Sequence, residues 1–140
     1  MKCEIEIGRG VDCLIFGLTR TEVRMLIDSQ VDSRKRNQSD SSYDYFIGLG
    51  IFMYYDAEDK LEAIEITKPA KPQLSLVSLL ELSFVSAKKL LLSLSENVRE
   101  DGAGATAEDL GIGVYAPFAK KDPKALIEAV IVFGHGYYDT

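Results

Sequence analysis

Several residue types that build functional sites are scarce in this sequence, which has no tryptophan, one histidine and two cysteines. A structural zinc site takes four cysteine or histidine ligands, so the composition argues against one. No apolar run approaches the roughly 18 residues that a membrane span needs. Near the N-terminus, Glu4 and Glu6 interrupt what would be the apolar core of a signal peptide. With Met1 as the native start, we expect a cytoplasmic protein with no membrane contact and no cofactor.

The two cysteines, Cys3 and Cys13, flank the sequence Gly8-Arg9-Gly10. A hairpin turning there would place the cysteines opposite each other, so the geometry allows a disulfide. Disulfides are rare in a reducing cytosol, however, and we therefore predict two half-buried free thiols.

The overall composition is unremarkable, with 46% apolar and 27% charged residues in 140. These values are typical of an ordinary globular protein, and a chain of this length can bury a core without disulfides or metals. We expect a single domain over residues 1–140, as a monomer or weak dimer.

Acidic residues outnumber basic ones by six, and the excess lies in one segment. Residues 40–66 contain seven acids and one lysine: Asp40, Asp44, Asp56, Glu58, Asp59, Glu62, Glu65 and Lys60. A negative field of this kind repels nucleic acid and attracts a basic partner. We therefore expect a protein partner and no nucleic acid.

Three blocks of similar sequence occur twice in the same order. Residues 18–27, 49–54 and 61–66 match residues 82–91, 110–115 and 127–132. Ordered self-similarity of this kind indicates a structural repeat. The pattern predicts two tandem helix-plus-hairpin repeats, at about residues 16–68 and 80–135.

The first block has the features of a helix start, with Thr19 as N-cap and Glu22 as capping-box partner. Ser83 is the corresponding cap of the second copy, and we predict helices over residues 19–28 and 83–98. The apolar stripe of the first helix is predicted to be Val23, Leu26 and Ile27, while Arg20, Arg24 and Asp28 face water. Leu26 and its counterpart Leu90 are expected to be buried.

The other two blocks have the alternation of paired strands, predicted around residues 49–55, 61–67, 110–116 and 126–133. The polar stretches 28–44 and 99–108 are predicted to be mobile loops, and the proline-containing segment 68–72 to be a linker. The fold class that follows is α+β, an antiparallel sheet from two hairpins with both helices packed on one face. The other sheet face would be partly open.

No motif makes a convincing catalytic or metal site. Residues 102–107 spell GxGxxA but do not open a helix after a strand, so we interpret them as a flexible loop. Residues 56–59 lack the glycine and terminal glutamate of a calcium loop and fit a hairpin tip. His135 is interpreted as a turn residue, and the basic residues 34–36 as solvated charges. We therefore predict that the protein is not an enzyme.

Seven tyrosines lie within or next to the predicted hairpins, and Tyr54 and Tyr55 are adjacent. Exposed tyrosines beside carboxylates are common in protein–protein hot spots, although all seven could equally be core or rim residues. The predicted partner-binding residues are Asp44, Tyr54, Tyr55, Asp56, Glu58, Asp59, Glu62 and Tyr115.

The helix start at residues 16–23, followed by a hairpin, resembles the repeats of β-lactamase inhibitory protein. It is also similar to the outer-membrane-assembly lipoprotein fold. Small acidic chains of this kind further resemble the immunity proteins of contact-dependent growth inhibition and other polymorphic toxin systems. The sequence lacks the signal peptide and disulfides of the secreted inhibitors and the lipid-attachment cysteine of the lipoproteins, which favours the immunity proteins.

This resemblance implies a cytoplasmic immunity protein that binds a cognate toxin domain, a nuclease by preference, and blocks its active site. Two alternatives stay open. One is a regulatory module for another protein partner, and the other is a small-molecule-binding protein or enzyme with a pocket between sheet and helices.

Overall fold

The computed structural model describes residues 2–35 and 42–134, and within them the chain is mostly β. It forms an eight-stranded antiparallel sheet and a five-stranded mixed sheet, with two α-helices in the described ranges. The predicted α+β fold, a sheet of two hairpins with helices on one face in two tandem repeats, is therefore wrong. A single domain over residues 1–140 stays a prediction.

The strands are β1 (Lys2–Glu6), β2 (Gly10–Val11), β3 (Leu14–Ile15), β4 (Val31–Arg34), β5 (Tyr43–Phe46), β6 (Ile51–Tyr55), β7 (Leu61–Ile66), β8 (Lys71–Leu74), β9 (Val77–Ser78), β10 (Val98–Asp101), β11 (Gly104–Ala107), β12 (Ile112–Tyr115) and β13 (Ala129–Phe133). The helices are α1 (Arg20–Leu26) and α2 (Phe84–Leu94), and a 3₁₀ turn covers Leu79–Glu81.

The eight-stranded sheet has the order β10-β11-β12-β13-β7-β6-β5-β4. It consists of two antiparallel meanders, β4 to β7 after α1 and β10 to β13 after α2. The meanders join where β7 pairs with β13, which places Ile66 opposite Val130 and Ile64 opposite Val132. The four strands predicted from alternation are present as β6, β7, β12 and β13, with shorter bounds.

The stretches predicted as mobile loops contain four further strands, β4, β5, β10 and β11. Two of these, β4 and β10, are the edges of the sheet, where charged side chains are common because one side of the strand faces water. Main-chain pairing holds such strands without an apolar pattern. The loop prediction is thus wrong where these strands lie, and residues 36–41 lie outside the described residues.

The five-stranded sheet has the order β3-β2-β1-β8-β9, with β1 and β8 parallel and the other pairs antiparallel. The predicted linker is wrong from Lys71 onward, because Lys71 and Pro72 open β8. Pro72 is tolerated there since β8 pairs with β9 only from Gln73, so the missing N–H removes no bond on that side.

A turn at residues 7–9 joins β1 to β2, which is the hairpin that a disulfide between Cys3 and Cys13 would require. Both cysteines are free thiols, but Cys3 is buried and Cys13 is exposed. The thiols are therefore free, as predicted, but the prediction that both are half-buried is wrong.

Both helices begin at the predicted caps. Thr19 and Glu22 form the complete capping box, and the Ser83 side chain accepts a hydrogen bond from the Ser86 N–H. The caps satisfy N–H groups that have no partner within a helix. Neither helix in the described ranges is long and apolar enough to cross a membrane.

Each helix packs only a few apolar side chains into the core. Val23 and Ile27 of the first helix segment are buried, as are Phe84, Ala87 and Leu91 of α2. The burial prediction is wrong for Leu26, which is 49% exposed, and Leu90 is only partly buried.

Candidate binding surface

The two faces of the eight-stranded sheet differ because side chains alternate along each strand. One face carries both helices, since Arg24 of α1 bonds Asp44 of β5 and Lys88 of α2 bonds Glu100 of β10. We call the opposite side the open face. Its middle row, followed by register from β10 to β4, is Arg99, Thr106, Gly113, Ile131, Glu65, Phe52, Tyr45 and Asp32.

Four partly exposed rings form an aromatic cluster on β5 and β6, consisting of Tyr43, Tyr45, Phe52 and Tyr54. Tyr45 stacks on Phe52 with ring centroids 4.6 Å apart, and Tyr43 lies 5.2 Å from Tyr54. The Arg34 guanidinium lies 4.9 Å from the Tyr45 ring. Ring-on-ring packing holds these side chains in place while leaving part of each accessible.

Beside the aromatic cluster, small residues leave a depression of about 340 Å³ that we call the sheet pocket. Gly113 keeps it open, since a Cβ at this residue would lie 3.0 Å from Ile131 Cγ2 and 3.2 Å from Thr106 Oγ1. Tyr115, 49% exposed, lies on the lining. The lining residues are Glu65, Asp101, Ala103, Gly104, Ala105, Thr106, Gly113, Val114, Tyr115, Ala129 and Ile131.

On the opposite side of the sheet, the fully buried Asp44 carboxylate is the centre of a polar cluster. Its Oδ1 accepts hydrogen bonds from Arg20 Nη1 at 3.0 Å and Arg24 Nη2 at 2.7 Å. Its Oδ2 accepts from Arg24 Nε at 2.8 Å and from the Tyr55 hydroxyl at 3.1 Å. Arg20 also binds the Asp59 carboxylate, with its Nη2 2.8 Å from Oδ1. We call these residues the Asp44 cluster.

The charges in the Asp44 cluster stabilise each other. Burial alone would raise the pKa of Asp44, but hydrogen bonds from Arg24 and Tyr55, with the charges of Arg24 and Arg20, hold it below its usual value. Burial and the adjacent carboxylate raise the pKa of the Tyr55 hydroxyl, which therefore stays a donor. No buried side-chain nitrogen or oxygen in the described ranges lacks a hydrogen-bond partner, so the buried atoms of the cluster are satisfied and the cluster anchors α1 to the sheet.

The predicted partner-binding residues are divided between these two sides. Asp44 and Tyr55 are buried in the Asp44 cluster and have no surface for a partner. Tyr54 and Tyr115 lie on the open face, where the Tyr54 hydroxyl donates to Glu65 at 2.9 Å.

Of the remaining predicted residues, Asp56, Glu58 and Asp59 belong to the turn between β6 and β7, and Glu62 lies in β7. Asp56 accepts hydrogen bonds from the Glu58 and Lys60 N–H groups, and Glu58 pairs with Lys60. Asp59 adopts φ 62° and binds Arg20. The partly exposed Glu62 is the extra residue of a bulge opposite β6. The hairpin-tip interpretation of residues 56–59 is therefore confirmed.

Sequence reasoning missed Tyr43, Tyr45, Phe52 and Arg34 as parts of the surface. The available signal was alternation in residues 43–46, where Asp44 and Phe46 are buried and the two tyrosines are not. That signal lay in a stretch interpreted as a loop because of its serines and charges.

The acidic segment is also less negative in space than in sequence. Arg20 and Arg24, which the helix pattern directed to water, instead lie on Asp44 and Asp59. These two arginines lower the local excess of negative charge from six to four. The expectation that both face water is wrong for Arg20, whose side chain is 14% exposed, because a buried carboxylate requires cationic partners. Arg24 also binds Asp44, but its side chain stays 39% exposed.

The other motifs considered in the sequence are the GxGxxA stretch, possible metal ligands and the single histidine. Residues 104–107, interpreted as flexible loop, are the paired strand β11. Within the described chain, no group of three or more His, Cys, Asp or Glu side chains is placed to hold a metal ion. His135 lies outside the described residues.

Comparison of the chain with known protein families, curated proteins and solved structures gives no match.

Proposed function

We propose that this chain is a cytoplasmic immunity protein whose open face binds and neutralises a basic toxin domain. The observation that carries the proposal is the aromatic cluster, four rings held in fixed contact on a paired sheet and each still partly exposed. Rigid aromatic side chains bury large areas at low entropic cost and dominate protein–protein hot spots.

Charge supports a basic partner. The whole chain has a net charge of −6, and the turn between β6 and β7 adds exposed carboxylates. Nuclease toxins need a basic surface to hold phosphates, and an acidic inhibitor can occupy that surface. The resemblance to immunity proteins supports the same partner class.

The rival small-molecule function has less support. It would place a perturbed carboxylate in a pocket between sheet and helices. The buried carboxylate, Asp44, is instead bonded by Arg20, Arg24 and Tyr55 and does not line the sheet pocket.

The test uses the toxin domain encoded beside this chain's gene, expressed in a bacterial host with and without the chain. We expect the chain to restore growth and to bind the purified domain. Tyr45→Ala should raise the dissociation constant about 30-fold, since a central aromatic anchor contributes about 2 kcal/mol. Binding is measured by calorimetry.

Met25→Ala is the matched control, because Met25 is 79% exposed on α1, away from the open face. It should leave the dissociation constant unchanged, and urea unfolding should show that both variants are folded. Equal binding by wild type and Tyr45→Ala, or toxicity unaffected by the chain, would overturn the proposal.

A further inference from the structure

Two carboxylates lie on the lining of the sheet pocket, and no lysine or arginine of the described ranges lines it with them. Glu65 is in β7 and Asp101 ends β10, so the intervening strands place them about 19 Å apart at the usual strand spacing. The floor between them is apolar or small, and includes Gly113, Ala129 and Ile131.

Neither of these two acids has an ion-pair partner among the described residues, whereas several other acids of the eight-stranded sheet do. Asp32 pairs with Arg34, Glu100 with Lys88, and Glu108 with Arg99. Glu65 accepts only the Tyr54 hydroxyl, and Asp101 accepts the Ala103 N–H through Oδ1, as far as the described chain extends. Each carboxylate thus retains an oxygen that can accept from an incoming donor.

We propose that the sheet pocket receives a cationic side chain, lysine or arginine, from the partner protein, an inference that rests on the proposed function. The apolar floor takes the aliphatic stem of that side chain, and a carboxylate at either end of the pocket takes the charged head. The exposed ring of Tyr115 adds a surface on which a cation can stack. The separation of the two acids means that a cation binds one of them at a time.

The pocket can be tested without the partner, by titrating the full chain with N-acetyl-arginine amide and N-acetyl-lysine amide. Amide chemical shifts of Thr106, Gly113 and Ile131 report binding. The neutral isostere N-acetyl-citrulline amide is the matched probe. We expect the cationic probes to bind in the millimolar range and at least about fivefold tighter than citrulline, equivalent to about 1 kcal/mol. Whichever cation binds more tightly identifies the preferred head group.

Replacing both acids, Glu65→Gln with Asp101→Asn, should bring arginine binding down to the citrulline level. Glu96→Gln, which removes an exposed acid between α2 and β10 that does not line the pocket, should leave it unchanged. Equal amide chemical-shift changes with the arginine and citrulline probes, or undiminished arginine binding by the double variant, would overturn the proposal that the sheet pocket binds a cationic side chain. Those outcomes leave the proposed function standing if Tyr45→Ala still weakens toxin binding, so the two failures are distinguishable.

Discussion

The side chain of Asp44 remains charged in a fully buried position because four donor atoms surround it. Asp44→Asn should lower the free energy of unfolding by about 3 kcal/mol, the lower end for a broken buried ion pair. The cost is at the lower end because Arg24 is partly exposed and Arg20 keeps Asp59. Urea unfolding at pH 7 measures it. Glu58→Gln is the control and should change stability by less than about 0.5 kcal/mol.

The same residue gives a pH dependence whose sign follows from its lowered pKa. The folded pKa lies below the unfolded one, so the contribution of Asp44 is complete above about pH 4 and is lost as the pH falls through the folded pKa. The difference in stability between wild type and Asp44→Asn should therefore be constant from pH 7 to 5 and shrink below pH 4. A difference that stayed constant to pH 3 would contradict this assignment.

Helix α1 has a sheet-facing stripe that mixes charged and apolar residues. Arg20, Val23, Arg24 and Ile27 follow the spacing i, i+3, i+4 and i+7, and all four reach the core or the Asp44 cluster. The stripe predicted from sequence contained only apolar residues and therefore faced a different side of the helix. It included Leu26, which is exposed. Hydrophobic periodicity cannot identify a helix face that packs on a buried carboxylate.

This difference separates two leucine truncations. Leu91→Ala should lower the free energy of unfolding by about 3 kcal/mol, because Leu91 is fully buried and its loss leaves a cavity. Leu26→Ala should cost less than about 1 kcal/mol, since half of its surface already faces water. Urea denaturation of both variants measures the contrast, and equal costs would mean that the helix faces are assigned wrongly.

The strands show a similar division between local and long-range information. Alternation in residues 51–55 and 61–66 indicated β6 and β7 correctly. The edge strand β10 reads Val-Arg-Glu-Asp and carries no such pattern, because its stability comes from main-chain pairing with β11. The backbone of β10 is held extended by its pairing with β11, and its own sequence does not predict this.

At the scale of the whole molecule, the N-terminal strand β1 is the central strand of the five-stranded sheet and pairs with both β2 and β8. Cys3 pairs by register with Pro72, nearly 70 residues away, and is 1% exposed. Burial, with the charge of Asp12, raises the pKa of the Cys3 thiol, so little thiolate forms. Cys13 is exposed, in the turn between β2 and β3.

The native protein should therefore take up one equivalent of iodoacetamide, at Cys13, and a second only after unfolding in urea. Intact-mass spectrometry counts the labels, and peptide mapping locates them. Cys13→Ser should abolish the fast label and leave the slow one. Rapid double labelling of the native protein, or no labelling until a reductant is added, would contradict the packing described.

The sequence by itself determined the features that depend on neighbouring residues: both helix caps and the last two strands of each meander, β6, β7, β12 and β13. Capping and alternation act over a few residues, so their signals are complete within a short segment. Tertiary structure decided which residues are accessible. Arg20 and Arg24 meet Asp44 across 24 and 20 residues of chain, and that contact removes Asp44 and Tyr55 from the surface. The pairing of β5 with β6 then places Tyr43 beside Tyr54 and Tyr45 beside Phe52 on the open face, because cross-strand register decides which side chains become neighbours.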